Sequence, residues 1–309
     1  MDKAIKKQGI FFLFIKMILL LGVSYLLYVQ LTKVDFNNWK KLELKHPLFA
    51  IISFLLLFVN WFLEWKKWKI TLDVIKTETT TQNNFRAFMA GITTGLVTPN
   101  MLGNFLGRMY YFKRNLRPSI ILLTLLSNFS QFIASIFFGF LSFLFLRETP
   151  LGIENIVVGL TLFILILFLL LFYFFFEKIK WPYFQKKKSF SKVVTLIKHH
   201  KRYKSQLLSL SFLRHFIFTL QFWLMFNAFE DALNKDAFLW IWQIFLWTTL
   251  VPSLWFGKLV IRESIALLVL VSVGYGQVEI LTTSILIWLI NLAIPAMTGL
   301  IICNRNKVD

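Results

Sequence analysis

Two stretches of this chain place a proline, a glycine and an arginine in the same order. In the first, Thr93-Thr94-Gly95-Leu96-Val97-Thr98-Pro99 runs on through Gly103 to Arg108; in the second, Thr248-Thr249-Leu250-Val251-Pro252 runs on through Gly257 to Arg262. Each arginine follows its glycine by five residues, in apolar surroundings. A guanidinium pairs bidentately with phosphate, so these positions suit the holding of an anionic group. Asn100 and Asn104 precede Arg108, and Glu263 follows Arg262. Further polar groups sit in apolar runs: Asn128 and Gln131 in one, Arg214, His215 and Gln221 in another. Glu64 closes a third, in Trp61-Phe62-Leu63-Glu64-Trp65-Lys66-Lys67-Trp68.

Polar side chains at membrane depth are costly, which makes each of these a functional candidate. Plainer roles compete. Glu64, Lys66 and Lys67 also suit interfacial anchoring among tryptophans. Asn128 and Gln131 also suit hydrogen bonds between helices, worth about 0.6 kcal/mol per contact. Arg262 with Glu263 is harder to set aside, because a charged pair in an apolar segment needs a polar cavity or a partner across the bundle. No catalytic set emerges. His46, His199, His200 and His215 lack metal-ligand spacing, so no metal is expected. No Gly-rich phosphate loop and no serine nucleophile elbow is present, and no cofactor is expected.

The elements that must carry these residues are membrane spans. Mean hydropathy is +0.67, 57% of the residues are hydrophobic and 18% aromatic, more than a soluble chain of 309 residues needs. Apolar stretches cover residues 10–28, 47–63, 120–146, 156–176, 207–229, 238–256, 259–275 and 280–303. Several reach the roughly 20 residues that cross a bilayer core, and in lipid such segments are helices because every backbone group must be paired internally. The first stretch follows Lys3, Lys6 and Lys7 but lacks a small-residue cleavage site, so it is expected to be retained as a span. The single cysteine, Cys303, excludes disulfides within the chain.

The net charge of +19 lies in connections beside spans. Lys178, Lys180, Lys186, Lys187, Lys188, Lys192, Lys198, Lys201, Arg202 and Lys204 crowd residues 177–205, which places that loop in the cytoplasm. Anionic headgroups are natural neighbours for it, and nucleic acid is not expected as a partner. Phe190, Val193, Val194 and Ile197 recur there near helical spacing, as in an amphipathic helix. Segment 85–106, rich in glycine and threonine with Pro99, is predicted to dip into the membrane and return to the same face. Whether 252–262 spans or re-enters stays open. The fold expected is an all-α polytopic membrane protein of about eight transmembrane helices. One or two re-entrant, Pro/Gly-broken helices complete it. It forms a single integral membrane domain over 1–309, with 1–150 and 151–309 as candidate halves of an inverted repeat. Broken helices at matching points of two halves commonly build a substrate site near the bilayer midplane.

The same residues carry a family likeness. The run from Gly95 to Arg108 resembles the first conserved block of the lysylphosphatidylglycerol synthase transmembrane-region family. Val251-Pro252-Ser253 with Gly257 and Val260-Ile261-Arg262-Glu263-Ser264 resembles the second, and Glu64-Trp65-Lys66-Lys67-Trp68 resembles the signature that ends its second span. The resemblance implies a multi-pass protein of the bacterial inner membrane, with a cytoplasmic N-terminus, that handles lipids without an aminoacyl-transferase domain. Asn104 stands where the family usually has an acidic residue, and Trp255-Phe256 where it has glycines. The family's lysyl-lipid substrate is therefore not carried over.

The leading expectation is a flippase or transporter of a polar-headgroup lipid, with membrane lipids, anionic phospholipid above all, as partners. Arg108 and Arg262 would share one cavity and hold a lipid phosphate. Glu263 would orient Arg262 or meet a cationic headgroup, and Asn104, Asn128 and Gln131 would add hydrogen bonds. Two other readings stand beside it: a non-catalytic partner of a lipid-modifying enzyme, and a membrane-embedded transferase with Glu64 or Glu263 as base.

Overall fold

The computed structural model describes residues 21, 25, 28, 32, 39–40, 42–76, 79–96, 98, 103–146, 155–178, 188–200, 202–231, 233–251 and 257–303. Most of the first apolar stretch, Pro99, Asn100, the Pro252 stretch at 252–256 and the basic residues of 179–187 lie outside them. All regular structure among the described residues is helical.

Helix α1, Pro47–Ile75, opens on proline, whose missing N–H would be unpaired there in any case. It ends at Lys76, which takes a left-handed φ of 52°. Two short helices follow, α2 (Thr81–Leu96) and α3 (Gly103–Met109), then the long α4 (Arg117–Phe145). Helix α5, Asn155–Phe175, runs on through one 3-10 turn to Lys178. Helix α6, Lys188–His199, is the amphipathic segment expected in the basic connection, with Val193 and Ile197 buried against α4 and α1. The second part repeats the order: long α7 (Tyr203–Asn227), short α8 (Ala237–Leu250) and α9 (Gly257–Val271), then α10 (Gln277–Trp288). A π-helical turn, Leu289–Ala293, links α10 to α11, Ile294–Ile302.

Among the described residues, five segments are long and apolar enough to cross a membrane: Pro47–Ile75, Arg117–Phe145, Ile156–Lys178, Tyr203–Asn227 and Gln277–Ile302. The protein is thus a polytopic helical membrane protein. The expected spans 238–256 and 259–275 are shorter. They are the 14-residue α8 and the 15-residue α9, packed on each other. At about 1.5 Å per residue neither reaches the roughly 30 Å of a bilayer core. Helices α2 and α3 form the same kind of packed pair.

The two parts interlock. Helix α1 packs along α7, α4 packs on α8, and α11 packs on α2. A glycine sits at each of the last two crossings. At Gly139 of α4 a Cβ would lie 2.7 Å from Leu246 of α8, and at Gly299 of α11 it would run into Thr93 Oγ1 of α2. Large apolar side chains on α5, such as Ile156, Ile164 and Phe168, stay on the outside, as a lipid-facing helix requires.

Candidate functional site

The first break is closed by its own threonines. Gly103 N–H donates to Thr98 Oγ1 at 2.6 Å, and Thr98 Oγ1 donates back to Thr94 O at 2.9 Å. Thr94 Oγ1 lies 2.6 Å from Gly103 O, so the end of α2 and the start of α3 share hydrogen bonds that lipid could not supply. Gly107 lets the two helices touch, since a Cβ there would stand 2.5 Å from Ala90 O. This close approach carries Arg108 into the protein.

Arg108 is 2% exposed. Its guanidinium carbon lies 4.8 Å from the Trp68 ring centroid and 5.7 Å from that of Phe88, a cation–π seat away from water. Gly91 leaves the space for it: a Cβ there would stand 2.7 Å from Arg108 Nε. Arg108 Nη2 donates to Glu64 Oε1 at 3.1 Å. The other carboxylate oxygen, Oε2, is 3.6 Å from Arg214 Nη1 and 3.9 Å from Lys67 Nζ. Lys67 Nζ also donates to Ser127 O at 3.2 Å, tying α1 to α4.

From Arg214 a file of side-chain hydrogen bonds leads away from Glu64. Arg214 Nε donates to Asn60 Oδ1 at 2.8 Å, and Asn60 Nδ2 donates to Asn291 Oδ1 at 3.0 Å. Asn291 Nδ2 donates to Gln221 Oε1 at 2.9 Å, and Gln221 Nε2 donates to Ser53 O at 3.0 Å. Gln131 Oε1 accepts from Arg214 Nη1 at 3.5 Å. The file thus joins α1, α4, α7 and the π-helical turn. That turn has a local cause. Pro295 has no N–H to give to the carbonyl of Asn291 four residues back, so the ladder is interrupted where Asn291 faces the file.

Arg262 has a separate setting. Its Nη2 donates to Glu263 Oε1 and to Ser284 O, both at 2.7 Å, and its Nε donates to Ser284 Oγ at 3.2 Å. Arg262 and Glu263 are 6% and 5% exposed, a charge-balanced pair between α9 and α10. Glu263 is thus an ion-pair partner of Arg262.

The structure therefore brings Glu64, Arg108, Gln131, Arg214 and Gln221 of the expected residues into one connected group. Arg262 and Glu263 pair with each other and Ser284. Gly103 holds the first break, Gly257 opens α9, and Asn104 keeps a buried Oδ1 without a hydrogen-bond partner. Asn128 is half-buried and takes no part in the file. Pro99 and Asn100 fall outside the described residues. Asn60 and Asn291 were not singled out by sequence, and Lys67 was read only as a possible anchor. Asn60, Glu64 and Lys67 recur at helical spacing on one face of α1, which is the signal that finds them.

The electrostatic balance is uneven: one carboxylate faces three cations. Charge at membrane depth is tolerated when paired or when it lines a polar cavity. The side chains of Arg108 and Lys67 are 2% exposed, whereas that of Arg214 is 28% exposed. The excess positive charge thus has an outlet at Arg214. Among the described residues no group of three His, Cys, Asp or Glu side chains could hold a metal ion.

The chain belongs to the lysylphosphatidylglycerol synthase TM region family, whose profile matches residues 13–299. It is on that ground a membrane protein of lipid handling. No curated protein and no solved structure matches it.

Proposed function

We propose that this member of the lysylphosphatidylglycerol synthase TM region family moves a phosphate-bearing, polar-headgroup lipid between leaflets of a bacterial cytoplasmic membrane. It does so as a transporter rather than an enzyme, with its N-terminus and the 177–205 connection on the cytoplasmic side. The observation that carries the reading is the uncompensated charge at Glu64. Arg108, Lys67 and Arg214 leave an excess of two positive charges at membrane depth, and a lipid phosphate bound at Arg214 balances part of it. The Asn60–Asn291–Gln221 file offers further amide donors and acceptors to a headgroup, while the acyl chains remain in lipid.

The residues divide the work. Arg214 meets the phosphate, Glu64 anchors Arg214 and balances the buried Arg108, and Gln131 orients Arg214. Arg262 with Glu263 stiffens the corresponding broken pair in the second half. The two halves, each of long helix, broken pair and long helix, act as repeats around this site. The sequence carries no Gly-rich phosphate loop, and movement runs downhill or is coupled to an ion.

Reconstituted vesicles test this. Purified protein should expose fluorescent-headgroup phosphatidylglycerol in the inner leaflet to an impermeant quencher. Arg214→Gln should slow that exposure at least tenfold. Wild-type protein that moves no lipid, or Arg214→Gln at full rate, overturns the reading.

A further inference from the structure

A second candidate site lies outside the central file. A groove of about 590 Å³ opens along the end of α5 and is closed by α6 and the start of α7. Its upper wall is Leu167, Leu170, Leu171 and Phe174, hydrocarbon on a lipid-facing helix. Its lower end carries Lys178, Lys198 and Lys204 with Glu177. Lys204 is already committed: its Nζ donates to Glu177 Oε2 at 2.8 Å and to Phe174 O at 2.5 Å. That pairing neutralises Glu177, so the charge left facing the groove mouth is that of Lys178 and Lys198. Both are exposed.

We infer that this groove is a binding site for one anionic phospholipid of the leaflet that the basic connection faces. An acyl chain lies along Leu167 and Leu171, and the phosphate sits between Lys178 and Lys198. Three features of the site fit that occupant. The wall is apolar where a chain would lie and cationic where a headgroup would lie, and this order runs from membrane towards the basic connection. Lys178 Nζ lies 4.7 Å from the Phe175 ring centroid, which holds the amine at the end of the apolar wall. The floor is rigid, because Lys204 and the Tyr173 hydroxyl, which donates to Lys204 O at 3.0 Å, pin α5 to α7. Such a lipid would fix α6 in place and would not itself be transported. The inference does not depend on the transport reading.

The test places a reporter beside the groove rather than in it. Phe168, 63% exposed on α5, is changed to cysteine in a Cys303→Ser background and labelled with a small fluorophore. The protein is reconstituted at low salt with brominated phosphatidylglycerol or brominated phosphatidylcholine. Phosphatidylglycerol should quench preferentially. Lys178→Gln with Lys198→Gln should reduce that preference roughly thirty-fold, from two membrane-surface cations removed. Arg214→Gln should leave it unchanged, which separates this site from the central one. Equal quenching by both lipids before substitution, or an undiminished preference after it, overturns the inference.

Discussion

At the scale of single residues, the informative contrast is between Glu64 and Arg214. Glu64 is the shared counter-charge of three cations, two of which are almost fully buried. Glu64→Gln leaves Arg108 and Lys67 facing each other without a carboxylate, and stranding a buried charge costs about 3–5 kcal/mol. Arg214→Gln removes a partly exposed cation and leaves the Glu64–Arg108 pair intact, so its cost should be that of the lost hydrogen bond to Asn60, about 0.5–1.5 kcal/mol. Thermal unfolding of the two variants in the same detergent should therefore separate them clearly, with Glu64→Gln far less stable. Comparable melting points would mean that Glu64 is not the keystone of the cluster. Arg108 and Arg214 were legible in the sequence as polar groups in apolar runs. Their common partner was not, because Glu64 lies 44 positions before Arg108 and beside tryptophans that suit an interfacial anchor equally well. Only the folded chain reveals that the charges add up to an excess. Asn60 and Asn291, 231 positions apart, were passed over for the same reason: a lone asparagine in a span announces its cost but not its partner.

At the scale of elements, proline, glycine and threonine between apolar runs did announce the broken pair α2–α3. What they did not announce was the threonines' task. Thr94 and Thr98 spend their hydroxyls on closing the break between the helices instead of lining a cavity. The second pair was harder to read. Residues 238–256 and 259–275 form an almost unbroken apolar run, so hydropathy alone made them two spans, and only the structure shows two packed helices of 14 and 15 residues. The close approach of α2 and α3 is open to measurement. Gly107→Ala would set a Cβ 2.5 Å from Ala90 O, a backbone atom that cannot swing aside. Overpacking of this kind costs about 1–3 kcal/mol. Gly159→Ala on α5 is the matched control, since a Cβ there meets nothing within 4 Å, and it should be neutral to about 0.5 kcal/mol. Equal melting temperatures for the two variants would show that α2 and α3 are not held this tightly.

At the scale of the whole molecule, helices in the same order recur at a nearly constant spacing. Pro47 to Tyr203 and Thr81 to Ala237 are each 156 positions, Gly103 to Gly257 is 154, and Arg117 to Gln277 is 160. Gly139 to Gly299 is again 160, and each glycine seats the last long helix of one part on the first short helix of the other. The sequence offered 1–150 and 151–309 as candidate halves; the order of long, short, short and long helices occurs over 47–145 and again over 203–302, with α5 and α6 between. If the two parts rock against each other during transport, these crossings are where they slide, and both crossings must slide together. A side chain at either glycine should then have the same effect. Gly139→Val and Gly299→Val are each expected to slow lipid exposure in vesicles several-fold, while affinity for anionic lipid, read by titration of the same proteins, stays within about twofold because Arg214 and Glu64 are untouched. The double variant should be little slower than either single one, since one jammed crossing already arrests a coupled motion and contacts in one network are not additive. Multiplying rather than saturating effects would show two independent hinges, and a change in lipid affinity equal to the change in rate would place the glycines' influence on the site itself.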